Sequence, residues 1–245
     1  MKNAELAKAW SSQNAVNYYR SHRNSINDLY GSEEFFIESV LKKGKTLLDV
    51  GCATGGFSKI VKTYNENLEY TGIDISPRMI SEAKECNPED NFFLCNGEKI
   101  DFPDNSFDIV ISFGVLHMTE KWEKLLAEAL RVCREALLFD VRIVENEGIC
   151  DTEKSYQNLE FDGRWDGFSR APYVVVNIDE FFGYLTDMKP GIRTLMTYDY
   201  WHPVSKMTVS PYEEVCMAVL CLGKDGNEGL KITEWNLPIK PSYLK

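Results

Sequence analysis

The stretch Leu47–Ser58, which reads LLDVGCATGGFS, decides the fold of this 245-residue chain. It begins as a mostly apolar run typical of a buried strand, and the glycines that follow mark a tight turn that opens a helix. Glycine is needed at Gly51 and Gly55 because the chain must turn sharply with a positive φ, and because a ligand must approach the backbone where no Cβ intervenes. The stretch therefore predicts a strand, a turn and a helix beside a ligand pocket.

A second motif follows one strand further on, at Tyr70–Ile80, which reads YTGIDISPRMI. Asp74 ends the predicted strand about 20 residues after the glycine turn, where a carboxylate can accept hydrogen bonds from both hydroxyls of a ribose. The turn itself lacks the G-x-G-x-x-G spacing that holds a pyrophosphate, because Ala53 stands at the position of the middle glycine. Together the two motifs indicate a nucleoside-containing cofactor and disfavour a dinucleotide.

The pattern Asp49-x-Gly51-x-Ala53-x-Gly55 resembles the first motif of the Class I S-adenosylmethionine-dependent methyltransferases, in particular their small-molecule branch. The resemblance covers roughly residues 45 to 142. It continues through NFFLCNGE (91–98), FPDNSFDIVIS (102–112), FGVLH (113–117) and the pair RV (131–132).

This resemblance implies S-adenosylmethionine as cofactor and S-adenosylhomocysteine as product. It places Asp49 and the Gly51 turn near the methionine moiety, Asp74 on the ribose hydroxyls, and Asn96 beside the adenine amino group. The family usually has Asp at this last position, and Asn96 keeps the carbonyl acceptor while losing the charge. The candidate cofactor residues are Asp49, Gly51, Cys52, Ala53, Gly55, Asp74, Ile75, Met79, Asn96, Gly97, Glu98 and Phe113.

Apolar runs alternate with helical patterns along most of the chain, which predicts an α/β fold with a doubly wound, mostly parallel sheet and helices on both faces. We expect seven strands, the last of them antiparallel. Residues 1–44 are predicted to form a helical lid or cap, with one amphipathic helix and a connector in residues 1 to about 30 and Ser32 as the N-cap of a helix through Leu41. Ser76 is the predicted cap of the helix that begins at Pro77. We expect residues 45–245 to form the cofactor-binding domain, with a substrate-recognition insertion that lacks a regular pattern at about 145–177 and a peripheral tail after Gly223.

Composition limits the partners. The net charge of −11, from 38 acidic and 27 basic residues, argues against nucleic acid and acidic membrane surfaces as partners. Seven scattered cysteines without a C-x-x-C pair predict a reduced, cytoplasmic protein that binds no metal. We find no signal segment and no apolar run long enough to span a bilayer. The sequence leaves the oligomeric state open.

Methyl transfer to oxygen benefits from a general base, and histidine is the residue most readily tuned for that role near neutral pH. His117 follows the fourth predicted strand and His202 is predicted to lie in the turn between the last two strands, so both are candidate catalytic residues. In the insertion, arginine forks and aromatic rings suit an anionic or carbohydrate acceptor. The candidate substrate-binding residues are Arg164, Trp165, Arg170 and Tyr173.

These observations predict O-methylation of a small polar acceptor, such as a sugar, a nucleotide-linked intermediate or a phosphorylated metabolite. Three alternatives remain open. The first is methylation at nitrogen or carbon, and the second is a nicotinamide-dependent oxidoreductase, which the missing fingerprint glycine disfavours. The third is a non-catalytic adenosyl-binding protein, because a fold and a cofactor pocket do not by themselves establish catalysis.

Overall fold

The computed structural model describes residues 3–188, 192–224, 231–234, 236 and 238–242. The helices are α1 (Asn3–Trp10), α2 (Gln13–Ser21), α3 (Gly31–Leu41), α4 (Phe57–Tyr64), α5 (Pro77–Cys86), α6 (Trp122–Val132) and α7 (Ile178–Asp187). The strands are β1 (Thr46–Val50), β2 (Glu69–Asp74), β3 (Asn91–Leu94), β4 (Phe107–Ser112), β5 (Cys133–Val144), β6 (Tyr156–Asn158), β7 (Arg170–Pro172), β8 (Val176–Asn177), β9 (Thr194–Pro203), β10 (Thr208–Val209), β11 (Glu214–Gly223) and β12 (Lys231–Glu234).

The main sheet has the order β12-β9-β11-β5-β4-β1-β2-β3, with β8 paired beside β5. Its pairings are parallel except where β11 meets β5 and β9, so the predicted mostly parallel sheet with a late antiparallel strand is confirmed. The predicted count of seven is too low, because the described residues also place β8 and β12 in this sheet.

Helices cover both faces of the sheet, as the sequence predicts. One apolar core packs α6 and α7 against residues of β4, β5 and β11. The second packs α3, α4 and α5 against the opposite face. Because alternate residues of a strand point to opposite faces, β5 contributes Phe139 and Val141 to the first core and Leu138 to the second.

Two predicted helix starts have different outcomes. Ser76 caps α5 as expected, since its hydroxyl accepts a hydrogen bond from the amide of Met79 at 3.1 Å. The prediction of Ser32 as an N-cap is wrong, because α3 begins at Gly31, two residues earlier than that cap implies, and Ser32 is buried in its first turn. The cap residue is Tyr30, whose amide donates to the carboxylate of Glu33 at 2.9 Å. The acidic side chain in the first turn therefore satisfies the helix start.

The N-terminal segment contains two helices rather than the single one that its polar pattern suggests. Aromatic side chains of α1 and α2, Trp10, Tyr18 and Tyr19, pack around Phe161 of the insertion. The insertion itself is not irregular, because β6 and β7 form a small antiparallel sheet with β10. The N-terminal helices and the insertion thus support one another across one side of the molecule.

The tail after Gly223 is not wholly peripheral. Its strand β12 extends the main sheet by pairing with β9, whose edge would otherwise be open. Ile239 is buried in the first apolar core. In the described part of the chain, no helix has the length and apolar character that crossing a membrane requires.

Candidate functional site

The carboxyl ends of β1, β2, β4 and β5 open into a cavity of about 410 Å³. This is the edge at which doubly wound sheets bind ligands. Most of the predicted cofactor residues line it, namely Asp49, Gly51, Cys52, Ala53, Asp74, Ile75, Met79, Asn96, Gly97, Glu98 and Phe113. Gly55 does not. A Cβ at Gly55 would lie 2.7 Å from the ring of Phe92, so this glycine is required by packing behind the cavity.

The glycine turn after β1 is held against β2. The amides of Gly51 and Cys52 donate to the carbonyl of Ile73 at 2.8 and 3.0 Å. Gly51 has a φ of +88°, and a Cβ there would lie 2.3 Å from Val115 Cγ2. Ala53 has a φ of +47°, in the left-handed region that side chains other than glycine rarely adopt. The turn is therefore strained at Ala53 and has no room for a side chain at Gly51.

The carboxylate of Asp74 fastens this turn to the end of β2. Its Oδ2 accepts from the amide of Ala53 at 3.0 Å, and its Oδ1 accepts from the amide of Ser76 at 2.8 Å. Burial raises the pKa of Asp74 to about 6, although these amide hydrogen bonds lower it. The side chain is thus mainly ionised at neutral pH, and each oxygen has a further lone pair for a hydroxyl donor.

Asp49, on β1, is a buried acid of this region. Its carboxylate accepts a hydrogen bond from the hydroxyl of Tyr70. Burial raises its pKa to about 7, and the negative charges of Asp74 and Glu33 act in the same direction. The hydrogen bond from Tyr70 and the positive charge of Arg23 oppose that shift. A positively charged ligand would favour the ionised form of Asp49.

The N-terminal helices close the cofactor side of the cavity. Asn3 Nδ2 of α1 donates to the carboxylate of Glu98 at 2.8 Å, and Lys121 Nζ donates to the same group at 2.9 Å. The hydroxyls of Ser11 and Ser76 lie 2.7 Å apart. Residues 3 and 11 therefore attach α1 to two loops that carry predicted cofactor residues.

A second set of polar residues lines the other end of the cavity, beyond β4 and β5. His117 lies on a 3₁₀ turn after β4 and is 4 % exposed. Its Nε2 is 3.5 Å from Nη2 of Arg142, whose Nη1 donates to the carboxylate of Asp140. Asp140 also accepts from the amide of Gly114. Burial and the positive charge of Arg142 hold the pKa of His117 well below its usual value.

Our reading of the sequence does not single out Asp140 and Arg142. Both line the cavity and are buried, at 4 % and 9 % exposure. The signal is the run LLFDVRI (137–143), in which two charges two residues apart interrupt an apolar strand. Residues so spaced on a strand share one face, so both side chains reach the same end of the cavity.

The predicted substrate and catalytic residues separate into two groups. Tyr173 and His202 line the cavity, and the ring of Tyr173 meets that of His117 edge-on at 5.8 Å. The prediction that His202 lies in a turn is wrong, because β9 continues to Pro203 and pairs His202 with Val215 of β11. Arg164, Trp165 and Arg170 do not line it, and we do not retain them as acceptor contacts. The guanidinium of Arg170 lies 4.8 Å from the ring centre of Tyr156.

The loop that carries Arg164 and Trp165 folds on itself. Trp165 Nε1 donates to the carbonyl of Ser169 at 2.9 Å, and Asp166 accepts from the amides of Phe168 and Ser169. These local hydrogen bonds keep the loop outside the cavity, with Arg164 exposed.

The donor set at the cofactor end fits S-adenosylmethionine. Asp49, Asp74 and Glu98 supply carboxylates for a ligand that carries positive charge and ribose hydroxyls. Among the described residues that line the cavity, the Lys and Arg side chains are Arg23 and Arg142, and each is paired with an acid. These observations define the class, an α/β protein that binds an adenosyl cofactor at the carboxyl edge of its sheet.

Comparison with known proteins specifies the family. Residues 48–137 match the family model described as a methyltransferase domain. This match confirms the resemblance of the motifs to the Class I Rossmann-like S-adenosylmethionine-dependent methyltransferases. S-adenosylmethionine is the cofactor of this family.

Two curated relatives each match less than half of the chain. The chain is 41% identical over 99 residues to 2-methyl-6-phytyl-1,4-hydroquinone methyltransferase of Synechocystis sp., which is 38% of this chain and 30% of that protein. It is 36% identical over 104 residues to phosphoethanolamine N-methyltransferase 3 of Arabidopsis thaliana, which is 40% of this chain and 21% of that protein. The chain thus spans less than a third of the length of these two relatives.

Solved structures share the fold over most of their length. A methyltransferase from Methanosarcina mazei aligns with a TM-score of 0.56 and 19% identity, covering 80% of this chain and 98% of that one. The [4+2]-cyclase SpnF aligns with a TM-score of 0.58 and 16% identity, covering 92% and 98%. At these identities the likeness shows the fold alone.

Proposed function

We propose that this protein transfers a methyl group from S-adenosylmethionine to an oxygen atom of a small polar acceptor. One observation carries the proposal. A single cavity joins the acidic cofactor end, formed by Asp49, Asp74 and Glu98, to an end lined by His117 and Arg142. A cofactor and an acceptor held at these two ends would lie in adjoining parts of one cavity, as direct transfer requires.

When bound, the cofactor supplies a methyl group that is already activated on a positively charged sulfur, so the chain has to orient and shield the reactants. Asp74 would hold the ribose hydroxyls, and Asp49 would stabilise the positive charge. The lid helices α1 and α2 exclude water from the reactants, with Trp10 and Tyr19 lining the cavity.

Charge favours an oxygen acceptor. Burial lowers the pKa of His117 and His202, and the positive charge of Arg142 lowers it further. This end of the cavity therefore disfavours additional positive charge. An ammonium acceptor would therefore bind poorly there, whereas a hydroxyl or carboxyl oxygen would not. We retain sugars, nucleotide-linked intermediates and phosphorylated metabolites as candidate acceptors. The net charge of −11 supports our proposal that nucleic acid is not the acceptor.

The test has two stages. Isothermal titration calorimetry with S-adenosylhomocysteine should show binding by the unmodified protein, loss of binding by Asp74→Ala, and unchanged binding by Asp101→Ala, an exposed acid outside the cavity. Methyl-labelled S-adenosylmethionine is then offered with hydroxyl, carboxyl and amine acceptors, and products are identified by mass spectrometry.

Each stage has an outcome that contradicts the proposal. An unmodified protein that fails to bind S-adenosylhomocysteine would overturn the cofactor assignment. Tight binding without methylation of any acceptor would favour the non-catalytic alternative, or a reaction of another kind on the same fold. Preferential methylation of amines would overturn the oxygen assignment alone.

A further inference from the structure

The two ends of the cavity differ in their charged side chains. Asp49, Asp74 and Glu98 lie at the cofactor end, whereas the other end holds Arg142 together with its ion-pair partner Asp140. Burial lowers the pKa of His117 and His202, and the positive charge of Arg142 lowers it further. Burial raises the pKa of Tyr173, and the charge of Arg142 opposes that rise. The positive charge of Arg142 therefore favours an anionic ligand group beside it, although Asp140 offsets part of that charge.

The contacts of His117 determine which of its ring nitrogens carries the proton. Nε2 lies 3.5 Å from Nη2 of Arg142, and a guanidinium has only hydrogen-bond donors. Nε2 must therefore present its lone pair, so the proton of the neutral ring is on Nδ1. The backbone carbonyl of His117 accepts from the amide of Val174 at 2.8 Å, which fixes the turn that carries the ring.

Two buried donors at this end have no partner. His117 Nδ1 and Arg142 Nε make no hydrogen bond to the described residues, although both atoms are buried, the two residues are only 4 % and 9 % exposed, and both line the cavity. Buried donors without partners are unusual in folded proteins and require an explanation. A ligand oxygen that accepts from both would provide one.

We propose that His117 Nδ1–H and the guanidinium of Arg142 form a subsite that binds an oxyanion of the methyl acceptor, such as a carboxylate or phosphate. His117 is then a positioning hydrogen-bond donor. This replaces its predicted role as a general base, because the nitrogen that faces the subsite already carries a proton and Nε2 faces a cation. The inference rests on the proposed function, since it names the acceptor chemistry of the same cavity.

The proton on Nδ1 can be tested without knowing the acceptor. Long-range ¹H–¹⁵N spectra of the imidazole rings, recorded on the S-adenosylhomocysteine complex near neutral pH, should show His117 neutral and protonated at Nδ1. The chain has three histidines, so the loss of one signal set in His117→Asn assigns the resonances, and His202→Gln serves as the matched control. A proton on Nε2, or a positively charged ring, would overturn the proposal.

The ligand chemistry is tested with small probes added to the same complex. Benzoate and phenyl phosphate should bind and shift the His117 ring signals, whereas benzylamine should not. His117→Ala should weaken the binding of the anion roughly tenfold to hundredfold, the usual effect of removing a hydrogen bond to a charged group. His117→Asn should restore much of the binding, because its side-chain amide is also a donor.

The outcomes separate this inference from the function on which it rests. Absence of anion binding, preference for benzylamine, or equal binding by His117→Ala would overturn the subsite while leaving S-adenosylhomocysteine binding intact. Failure to bind S-adenosylhomocysteine would instead contradict the proposed function. Because Arg142→Met leaves Asp140 buried without its partner, Arg142→Met is tested together with Asp140→Asn, and this double variant should also lose the anion.

Discussion

The cofactor end and the acceptor end of the cavity are built in different ways. The cofactor end comes from loops that directly follow β1, β2 and β3, and most of its residues belong to short contiguous motifs. The acceptor end combines His117, Arg142, Tyr200 and His202, which lie on three segments distant in the sequence. The comparison shows that a site formed by consecutive residues can be read from the sequence, whereas one formed by register between strands requires the structure.

The largest effect is expected from breaking the buried ion pair between Asp140 and Arg142 at the acceptor end. Asp140→Ala leaves Arg142 buried without its counter-charge, and we expect the free energy of unfolding to fall by about 3–5 kcal/mol. Urea denaturation followed by circular dichroism measures this loss. Asp140→Asn combined with Arg142→Met removes both charges and should be less destabilised than the single variant. A loss near that of a surface pair, at most about 1 kcal/mol, would show that this end is solvated.

At the cofactor end, the glycine turn should be the most sensitive backbone position. Gly51→Ala combines a strained φ, which costs about 1–2 kcal/mol, with direct overlap of Val115. We expect the affinity for S-adenosylhomocysteine to fall more than about tenfold, measured by calorimetry. Gly163→Ala is the matched control, since Gly163 has a φ of +72° but no atom within 4 Å of a Cβ. Equal effects in both variants would mean that strain alone matters.

The pH dependence of ligand binding should show whether the charge of Asp49 contributes to cofactor recognition. Because burial raises the pKa of Asp49 to about 7, this carboxyl is mostly protonated at pH 6 and mostly ionised at pH 8. The ionised form attracts a sulfonium, so the preference for S-adenosylmethionine over S-adenosylhomocysteine should increase by about tenfold or less across that range. The ratio cancels the titration of the amino acid moiety common to both ligands. A flat ratio is expected for Asp49→Asn, and a flat ratio in the unmodified protein would contradict the assignment.

The smallest effect is expected where the lid meets the cofactor end. Asn3→Ala removes the hydrogen bond to Glu98, which contributes about 0.5–1.5 kcal/mol. Calorimetry should therefore show a severalfold weaker binding of S-adenosylhomocysteine. Asn67→Ala, at an exposed turn, serves as the control. An unchanged affinity in Asn3→Ala would indicate that α1 does not contribute to cofactor binding.

The outcomes of the sequence predictions follow this division. The sheet and its flanking helices are predictable because apolar periodicity and glycine turns are local signals. The acceptor residues proposed from the insertion were Arg164, Trp165, Arg170 and Tyr173, and of these only Tyr173 lines the cavity. The other three remain outside because hydrogen bonds within the loop and stacking on Tyr156 determine its path, and neither leaves a periodic signal.

Arg142 is a cavity residue that the sequence analysis did not identify. It belongs to an apolar strand that is easily recognised, but its position at the cavity depends on the side of the sheet that each residue faces. The two apolar cores that pack against β5 determine which face each side chain takes. Phe139, Val141 and Ile143 face one core, and Leu138 faces the other. The charged residues in the strand are the signal that identifies such a position.

The three carboxylates of the cofactor end also bear on product inhibition. In the proposed reaction, methyl transfer would remove one positive charge from the ligand at that end, so Asp49, Asp74 and Glu98 would lose part of the attraction that favours its binding. The same acids that favour binding of S-adenosylmethionine would therefore bind S-adenosylhomocysteine less strongly. A protein with this arrangement could turn over in the presence of its own product without a separate device to expel it.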